Sequence, residues 1–131
     1  MGPFLRLLVD SNALYWWARE APALSAAARK AIKSTDAEVF VSAVTPWELA
    51  IKHASGKLDC GTLLDSFPEY LREQEFTALE VAVEDGIRAA ALPNHHRDPF
   101  DRVLVAQAQA KSLWIVSSDS IFDNYGVRRI W

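Results

Sequence analysis

The sequence predicts an α/β protein whose mostly parallel sheet is covered by helices on both faces. Short, near-continuous apolar runs, typical of strands buried on both faces, alternate along the chain with segments of helical periodicity. Such alternation favours parallel strands joined by helices. The 131 residues have the size of one ordinary domain, and no repeat, low-complexity tract or linker-like stretch divides them. We therefore expect a single domain over residues 1–131.

The first part of the chain predicts a strand and two helices. FLRLLVD (4–10) is an apolar run that ends in an aspartate, and ALYWWARE after it predicts a helix that Ser11 or Asn12 can cap. SAAARKAIKS (25–34) is rich in alanine and other good helix formers, with Ser25 as its N-cap.

The middle of the chain adds a strand and a helix with a full start signal. EVFVSAV (38–44) predicts the second strand. TPWELAIKHASGKL predicts a helix with Thr45 as N-cap and Glu48 in the third position, which is the spacing of a capping box. Residues 62–75 predict one or two helical turns that are broken near Pro68.

The last part completes the alternation. TALEV (77–81) alternates like a strand, and VEDGIRAAAL predicts a short helix that ends before Pro93. Asp98 is the predicted cap of the helix PFDRVLVAQAQAK. After it, SLWIVSS (112–118) predicts a strand, DSIFDNY a short helix, and VRRIW (127–131) a final strand.

Composition restricts the class of protein. Half of the residues are hydrophobic and five are tryptophan, which is enough for a core without disulfides at this length. The lone Cys60 cannot form an internal disulfide, so we expect a reducing, cytoplasmic setting. MGPFLRLLVD is interrupted too early by Asp10 to be a signal peptide, and no apolar window reaches the about 18 residues of a membrane span. A net charge of −3 argues against a protein that coats nucleic acid, but not against an enzyme that grips phosphates through metal ions.

Acidic residues fall at related places in this layout. Asp10 closes the first strand, and Asp119 follows the strand SLWIVSS. Asp101 lies in the first turn of a helix, and Glu48 lies in a helix that also begins after a strand. Ligands of open parallel sheets bind beyond the carboxyl ends of the strands. If the strands before Asp10 and Asp119 are neighbours, their carboxylates converge at that edge.

Each acid also has a purely structural interpretation. Glu48 can complete the capping box, Asp101 can interact with the helix dipole, and Asp119 can cap the short helix after it. The structural interpretation is weaker for Asp10, because an acid that closes a buried strand needs a partner. Each structural interpretation is reasonable for its own residue, but four independent ones for acids at related places in the fold are less convincing.

A shared cation is the alternative to four separate explanations. Several carboxylates in one cleft repel each other, so some must take up protons or share a cation. Oxygen ligands without a cysteine or an evident histidine pair favour Mg²⁺ or Mn²⁺ over zinc. His53, His95 and His96 show no zinc-ligand spacing, and surface or capping roles are the commoner ones for such histidines.

Taken together, these residues resemble the PIN domain, and more closely the VapC-type toxins of toxin–antitoxin pairs. HRDPFDRVLVAQA and the closing tyrosine–glycine-to-tryptophan pattern are the most specific parts, whereas residues 57–90 match mainly by pattern. The matching segments keep the family's order and cover both ends and most of the middle: LLVDSNALYWW, VSAVTPWELAIKHASGKL, LPNHHRDPFDRVLVAQA and VSSDSIFDNYGVRRIW.

The resemblance implies a three-layer α/β/α sandwich and an endoribonuclease that uses one or two Mg²⁺ or Mn²⁺ ions. The family's acidic positions map to Asp10, Glu48, Asp101 and Asp119. In such an enzyme the metal activates a water molecule that attacks the phosphorus, which leaves 5′-phosphate and 3′-hydroxyl ends.

Further positions of the family pattern are occupied as follows. Ser117 or Ser118 stands near the family's small hydroxyl residue before the last acid, where it would orient a carboxylate or a water. Asn12 departs from the histidine that is frequent in this subgroup, which leaves it no implied role beyond capping. Asp98 matches a subgroup position that is not one of the four acids, in keeping with a capping role.

Partners also follow from the resemblance. They are an RNA substrate, a small antitoxin whose tail enters the acidic cleft, and a second copy of the chain. The tryptophans and apolar helix of residues 13–18 could supply the surface for a homodimer. Basic residues near the acidic helices could contact RNA phosphates, or could be solvated helix faces: Arg97, Arg102, Lys52 and Lys57.

Other classes of function stay open at this point. A phosphomonoesterase with an aspartyl nucleophile usually carries Asp-x-Asp after its first strand, whereas this chain has Asp10-Ser11-Asn12 and no evident downstream lysine. A non-catalytic PIN-like module that binds RNA or a protein is the other alternative. Degenerate copies usually lose an acid, and all four are present here, which favours a metal-dependent endoribonuclease.

Overall fold

Helices and strands alternate along the chain as predicted. The computed structural model describes residues 5–131. Within that range, no helix is both long and apolar enough to cross a membrane. The elements are β1 (Leu5–Val9), α1 (Ser11–Ala18), α2 (Ala26–Lys33), β2 (Ala37–Ser42), α3 (Val44–Ala54), α4 (Phe67–Glu73), β3 (Thr77–Leu79), α5 (Val83–Ala91), α6 (Pro99–Lys111), β4 (Trp114–Val116), a 3₁₀ helix (Ser120–Tyr125) and β5 (Arg129–Ile130).

The strands form one parallel sheet whose chain order reverses at its centre. The order is β3-β2-β1-β4-β5, so β1 has β2 on one side and β4 on the other. Leu8 of β1 stands opposite both Phe40 and Ile115. All four strand pairs are parallel, which confirms the predicted sheet and makes it wholly parallel over the described residues. In sheets of this topology, a crevice opens beyond the carboxyl ends of the two strands where the order reverses.

Alternate residues of β1 face two hydrophobic clusters on opposite sides of the sheet. Leu7 and Val9 pack in a cluster with residues of α1, α2 and α4, whereas Leu8 packs in a cluster with residues of α6. All three side chains are fully buried. Burial on both faces explains why the strand is a continuous apolar run, and it confirms the three-layer α/β/α arrangement.

Several predicted boundaries shift for physical reasons. α4 begins at Phe67 with Pro68 in its first turn rather than being broken there, because a proline in the first turn removes no helical hydrogen bond. The segment after Asp119 forms a 3₁₀ helix instead of an α-helix. Ser25 caps α2 as predicted, with its hydroxyl accepting from the Ala28 amide. Residues 1–4, and with them the start of the predicted first strand and of the segment considered as a signal peptide, lie outside the described residues.

Candidate active site

The candidate site lies at the carboxyl ends of β1 and β4, where the chain order reverses. These strands are hydrogen-bonded neighbours, and the Asp10 amide extends their pairing by donating to the Val116 carbonyl at 3.1 Å. The condition under which Asp10 and Asp119 converge is therefore met. Ser117, fully buried directly after β4, lies between them and accepts a 3.0 Å hydrogen bond from the Asp119 amide.

Asp10 is a buried carboxylate with local partners. It is itself the N-cap of α1, with Oδ1 accepting from the Ala13 amide at 2.9 Å, so the expectation that Ser11 or Asn12 caps this helix is wrong. Asn12 is exposed. Burial raises the pKa of Asp10 to about 6, against the lowering effect of hydrogen bonds from Ser117 and the Ala13 amide. The charges of Glu48 and Asp119 add to the rise.

Glu48 is buried, and it does not cap its helix. α3 begins at Val44, and its N-cap Ala43 makes no side-chain hydrogen bond, so the predicted capping box is wrong. Thr45 lies inside the helix, and its buried hydroxyl has no partner among the described residues. Glu48 instead accepts a 2.6 Å hydrogen bond from Ser11 Oγ and pairs with Lys52 Nζ at 2.8 Å. The purely structural interpretation of Glu48 as a cap thereby loses its support.

Asp98 and Asp101 have separate tasks in the motif HHRDPFDR. Asp98 is the N-cap of α6, and its Oδ1 accepts from the Phe100 amide at 2.9 Å, as predicted. The cap sets the start of the helix, which turns the Asp101 side chain towards the ends of β1 and β4. Burial raises the pKa of Asp101 to about 8, helped by the charges of Asp98, Asp10, Glu48 and Asp119.

Asp119 combines a capping role with an open carboxylate oxygen. Its Oδ1 accepts from the Ile121 amide at 3.0 Å, so it caps the 3₁₀ helix. Its side chain is 48% exposed, and Oδ2 lies 3.6 Å from a nitrogen of His96. Of the two candidate serines, Ser117 faces the site while Ser118 is exposed.

The four acids form one electrostatic unit, which we call the acidic cluster: Asp10, Glu48, Asp101 and Asp119. The charges of the other three raise the pKa of Asp101, and those of Glu48 and Asp119 raise the pKa of Asp10. Carboxylates that face each other and are shielded from water are destabilised in their charged form, so their pKa values rise. A cation that they share stabilises the charged form most strongly in such a site. The donor set is made of oxygen atoms, which fits the hard divalent cations Mg²⁺ and Mn²⁺.

His96 joins the acidic cluster without having been predicted. Its Nε2 lies 2.8 Å from Asp101 Oδ2, and His96, Asp101 and Asp119 each place one ligand-type atom within 4.8 Å of the others. His96 lies before the N-cap of α6 and therefore outside the helix that carries Asp101. Its contact with Asp101 could not be predicted from a helical or strand period. The histidine pair before Asp98 was the available signal, and nothing in the sequence distinguished His96 from His95.

Two of the four basic residues near the site are engaged by the protein itself. Lys52 is paired with Glu48. Arg102 donates to backbone carbonyls of residues 89, 90, 92, 93 and 96, which argues against the expectation that it contacts RNA. Arg97 and Lys57 are exposed, and neither makes a side-chain hydrogen bond or ion pair within residues 5–131.

Four further side chains that could bear on a site make contacts within the fold: those of His53, Cys60, Asp123 and Trp47. His53 Nδ1 accepts from the Cys60 amide at 3.0 Å, which ties the loop after α3 to the end of that helix, and burial raises the pKa of the Cys60 thiol. Asp123 is held by Arg129 through both carboxylate oxygens, and that hydrogen bonding lowers its pKa. Trp47 is 62% exposed, with its ring against Phe100.

Comparison with known proteins identifies what the chain is similar to. Residues 7–127 match the family model of the PIN domain. Ribonuclease VapC22 of Mycobacterium tuberculosis (strain ATCC 25618 / H37Rv) is 32% identical over 114 residues, which are 86% of this chain and 86% of that protein.

Solved structures share the fold at low identity. VapBC2 from Rickettsia felis, bound to a DNA fragment from their promoter, aligns with a TM-score of 0.66 at 10% identity, over 95% of this chain and 97% of that chain. A toxin–antitoxin complex from Klebsiella pneumoniae aligns with a TM-score of 0.54 at 15% identity, over 87% of each chain. At these identities the likeness concerns the fold alone.

Proposed function

We propose, on the premise that this chain belongs to the PIN domain family, that it is a metal-dependent endoribonuclease acting as the toxin of a toxin–antitoxin pair. The observation that carries the proposal is the acidic cluster at the carboxyl ends of β1 and β4, where the pKa of the buried Asp10 is raised to about 6 and that of the partly buried Asp101 to about 8. The ribonuclease relative at 32% identity supports the same reaction. We further propose that residues 1–131 act as one nuclease domain.

The role of each acid in binding the cation would depend on which of its carboxylate oxygens are already engaged. Asp119 uses Oδ1 for a backbone amide and Asp101 uses Oδ2 for His96, so each keeps a second oxygen for a cation. Within residues 5–131, Asp10 accepts hydrogen bonds only from neutral donors, the Ala13 amide and Ser117, so its negative charge would be available to the cation. Glu48 has both oxygens engaged, by Ser11 and Lys52. It therefore adds negative charge to the cleft rather than an open ligand.

The chain's own residues orient the site before any substrate arrives. When bound, Mg²⁺ or Mn²⁺ would lower the pKa of a water molecule and neutralise the charge that gathers on the phosphodiester oxygens. The buried Ser117 hydroxyl and the Ala13 amide hold Asp10, whose charged form they favour. Asp101 and Asp10 must lose protons for the cluster to bind a cation, so binding strengthens as the pH rises towards 8.

Partners are part of the proposal. A cognate antitoxin is supported by the toxin–antitoxin complex that shares the fold. For a homodimer we propose the exposed apolar residues of α3 and α5 as the surface, because Trp16 and Trp17 are partly buried against the first core cluster. Those exposed residues are Trp47, Ile51, Val83 and Ile87. An RNA substrate and its toxin would meet in the cytoplasm.

Substituting one acid tests the proposed reaction. Asp101→Asn should lower RNA cleavage in Mg²⁺ or Mn²⁺ by at least about a hundredfold, because even groups that only orient metal ligands are worth 10–100-fold. Asp65→Asn is the matched control, since Asp65 is an exposed acid outside the cluster. Cleavage of total cellular RNA, mapped at 5′ ends, measures the rate and locates the target.

Three results would contradict the proposal. Wild-type cleavage by Asp101→Asn would mean that the site lies elsewhere. Release of phosphate from p-nitrophenyl phosphate with RNA left intact would indicate a phosphomonoesterase. A wild-type protein that neither cleaves RNA in Mn²⁺ nor is stabilised by it would be a non-catalytic binding module.

A further inference from the structure

We propose that His96 is a positioning residue of the acidic cluster: its Nε2–H group holds Asp101 by a hydrogen bond, and the ring does not ligate the metal. The inference rests on the proposed function, because it assumes that the cluster binds a divalent cation. It concerns a residue that lies outside the four acids and that its distance from two carboxylates would by itself place among the ligands.

The position of the ring permits either role. Nε2 lies 2.8 Å from Asp101 Oδ2 and 3.6 Å from Asp119 Oδ2, so it faces both carboxylates. The His96 side chain is 20% exposed and the Asp101 side chain 17% exposed, so the contact is largely shielded from water. A nitrogen at this place could donate a hydrogen to Asp101 or offer a lone pair to a cation, and the ring tautomer decides which.

The other ring nitrogen fixes the tautomer. The Asp98 amide donates a hydrogen bond to His96 Nδ1 at 3.3 Å. A nitrogen that accepts must present its lone pair, so the ring hydrogen is on Nε2, where it points at Asp101. Histidines that ligate metals show the reverse arrangement, in which the nitrogen away from the metal donates its hydrogen to a carbonyl or carboxylate. The same residue that caps α6 thereby turns His96 into a donor.

The backbone of His96 is held from two further sides. Its amide donates to the Tyr125 hydroxyl at 2.8 Å, and its carbonyl accepts from Arg102 Nη1 at 3.1 Å. Its ring and that of Phe122 pack edge to face, with 6.3 Å between the ring centroids. The backbone is held at its amide and its carbonyl, and the ring is held at Nδ1 and against Phe122. The side chain therefore has little freedom to swing out of the site.

Such a donor orders the carboxylate that it touches. A hydrogen bond on Asp101 Oδ2 fixes the rotation of the carboxylate and leaves Oδ1 as its free oxygen. It also places a partial positive charge between Asp101 and Asp119, which otherwise repel each other. Groups that orient metal ligands in this way typically contribute 10–100-fold to metal affinity.

A set of three variants separates the donor role from the ligand role. His96→Ala removes the donor, His96→Gln keeps an N–H donor of similar reach, and His95→Ala is the matched control from the same histidine pair. We expect Mn²⁺ affinity, measured by calorimetry, to fall about tenfold or more in His96→Ala. We expect it to stay within about threefold of wild type in His96→Gln, and to be unchanged in His95→Ala.

Two spectroscopic measurements do not depend on activity. Nitrogen NMR of the metal-free protein should show the Nε2–H tautomer for His96. Electron spin-echo spectra of the Mn²⁺-loaded wild type should show no coupling to a histidine nitrogen.

The inference is overturned by any of three results. These are equal Mn²⁺ affinity in wild type and His96→Ala, an Nδ1–H tautomer, or a nitrogen coupling that His96→Ala removes and His95→Ala retains. Failure of the proposed function has a different signature, namely a wild type that neither binds Mn²⁺ nor cleaves RNA while the tautomer of His96 is still Nε2–H.

Discussion

Asp101 and Arg102 are neighbours in the first turn of α6, but their charges have opposite surroundings. The charge of Arg102 is compensated by hydrogen-bond acceptors, whereas that of Asp101 faces other carboxylates. Asp101 faces like charges, and its pKa is raised to about 8 by burial and by the other acids. Arg102 turns the other way and donates to five backbone carbonyls and, at 3.5 Å, to the Tyr125 hydroxyl. We call the second arrangement the Arg102 clamp: Arg102, Tyr125 and the backbone of residues 89–96.

The difference separates a region built for a ligand from a region built for the fold. Two of the carbonyls that Arg102 satisfies, those of Ala89 and Ala90, lie in the last turn of α5, where the regular helical donors run out. The only backbone donor to the Ala89 carbonyl among the described residues is the Leu92 amide, at 3.4 Å. A positive charge at that end is also favoured by the helix dipole. The acidic cluster has no comparable compensation among residues 5–131, beyond the Lys52 pair, the donors already described and His96. Its unfavourable charge is tolerable if a cation completes it.

Removing the clamp should have the largest effect on stability. Arg102→Met keeps the aliphatic stem but removes the guanidinium donor from the carbonyls of residues 89, 90, 92, 93 and 96, and we expect the free energy of unfolding to fall by about 2–4 kcal/mol. Arg97→Met, at the exposed arginine of the same motif, should change it by less than about 0.5 kcal/mol. Urea unfolding followed by circular dichroism measures both. If Arg102→Met unfolded like wild type but lost RNA cleavage, Arg102 would be an RNA contact after all.

The sequence predicted the sheet and the place of the acids because both depend on local patterns. A strand buried on both faces must be apolar throughout, as β1 is, and an acid that directly follows such a strand lies at the sheet edge whatever the rest of the chain does. The capping role of Asp98 is equally local, since its partner is the Phe100 amide two residues away.

Other roles could not be predicted because their partners come from distant parts of the chain. Thr45 and Glu48 have the spacing of a capping box, but Glu48 is claimed by Ser11, 37 residues earlier. Arg102 looked like a surface charge, and its partners are set by how α5 packs on α6. The position of the His96 backbone depends in part on Tyr125, whose hydroxyl comes from 29 residues further along the chain.

A smaller effect is expected at the other member of the clamp. The Tyr125 hydroxyl accepts from the amides of His95 and His96 and donates to the Pro93 carbonyl at 2.8 Å. Tyr125→Phe keeps the buried ring and should lower the free energy of unfolding by about 1–2 kcal/mol. Tyr15→Phe is the control, because the Tyr15 hydroxyl makes a single exposed hydrogen bond, to the Asp59 carbonyl at 3.1 Å. Equal losses in the two variants would show that Tyr125 is not a central part of the clamp.

Removing one charge from the acidic cluster should have the smallest effect on stability, and it should stabilise the protein where the two clamp variants destabilise it. The pKa of Asp10 is raised from 3.8 to about 6 and that of Asp101 from 3.8 to about 8, so the folded protein holds protons that the unfolded chain releases. Stability from these groups is therefore fully present below about pH 4 and is lost as the pH rises through 6 and 8.

Asp101→Asn removes the part of this loss that occurs as the pH rises towards 8, because Asp101 is the group with the higher pKa. At pH 8 without metal we expect it to be more stable than wild type by about 1 kcal/mol, or about 4 °C in Tm, since the amide loses the charge but still needs hydrogen-bond partners. Thermal melts in EDTA from pH 5 to pH 8 measure the difference, with Asp65→Asn as control. A wild type whose Tm rises between pH 6 and pH 8 would mean that the cluster is already neutralised by the protein, and the contrast between Asp101 and Arg102 would disappear.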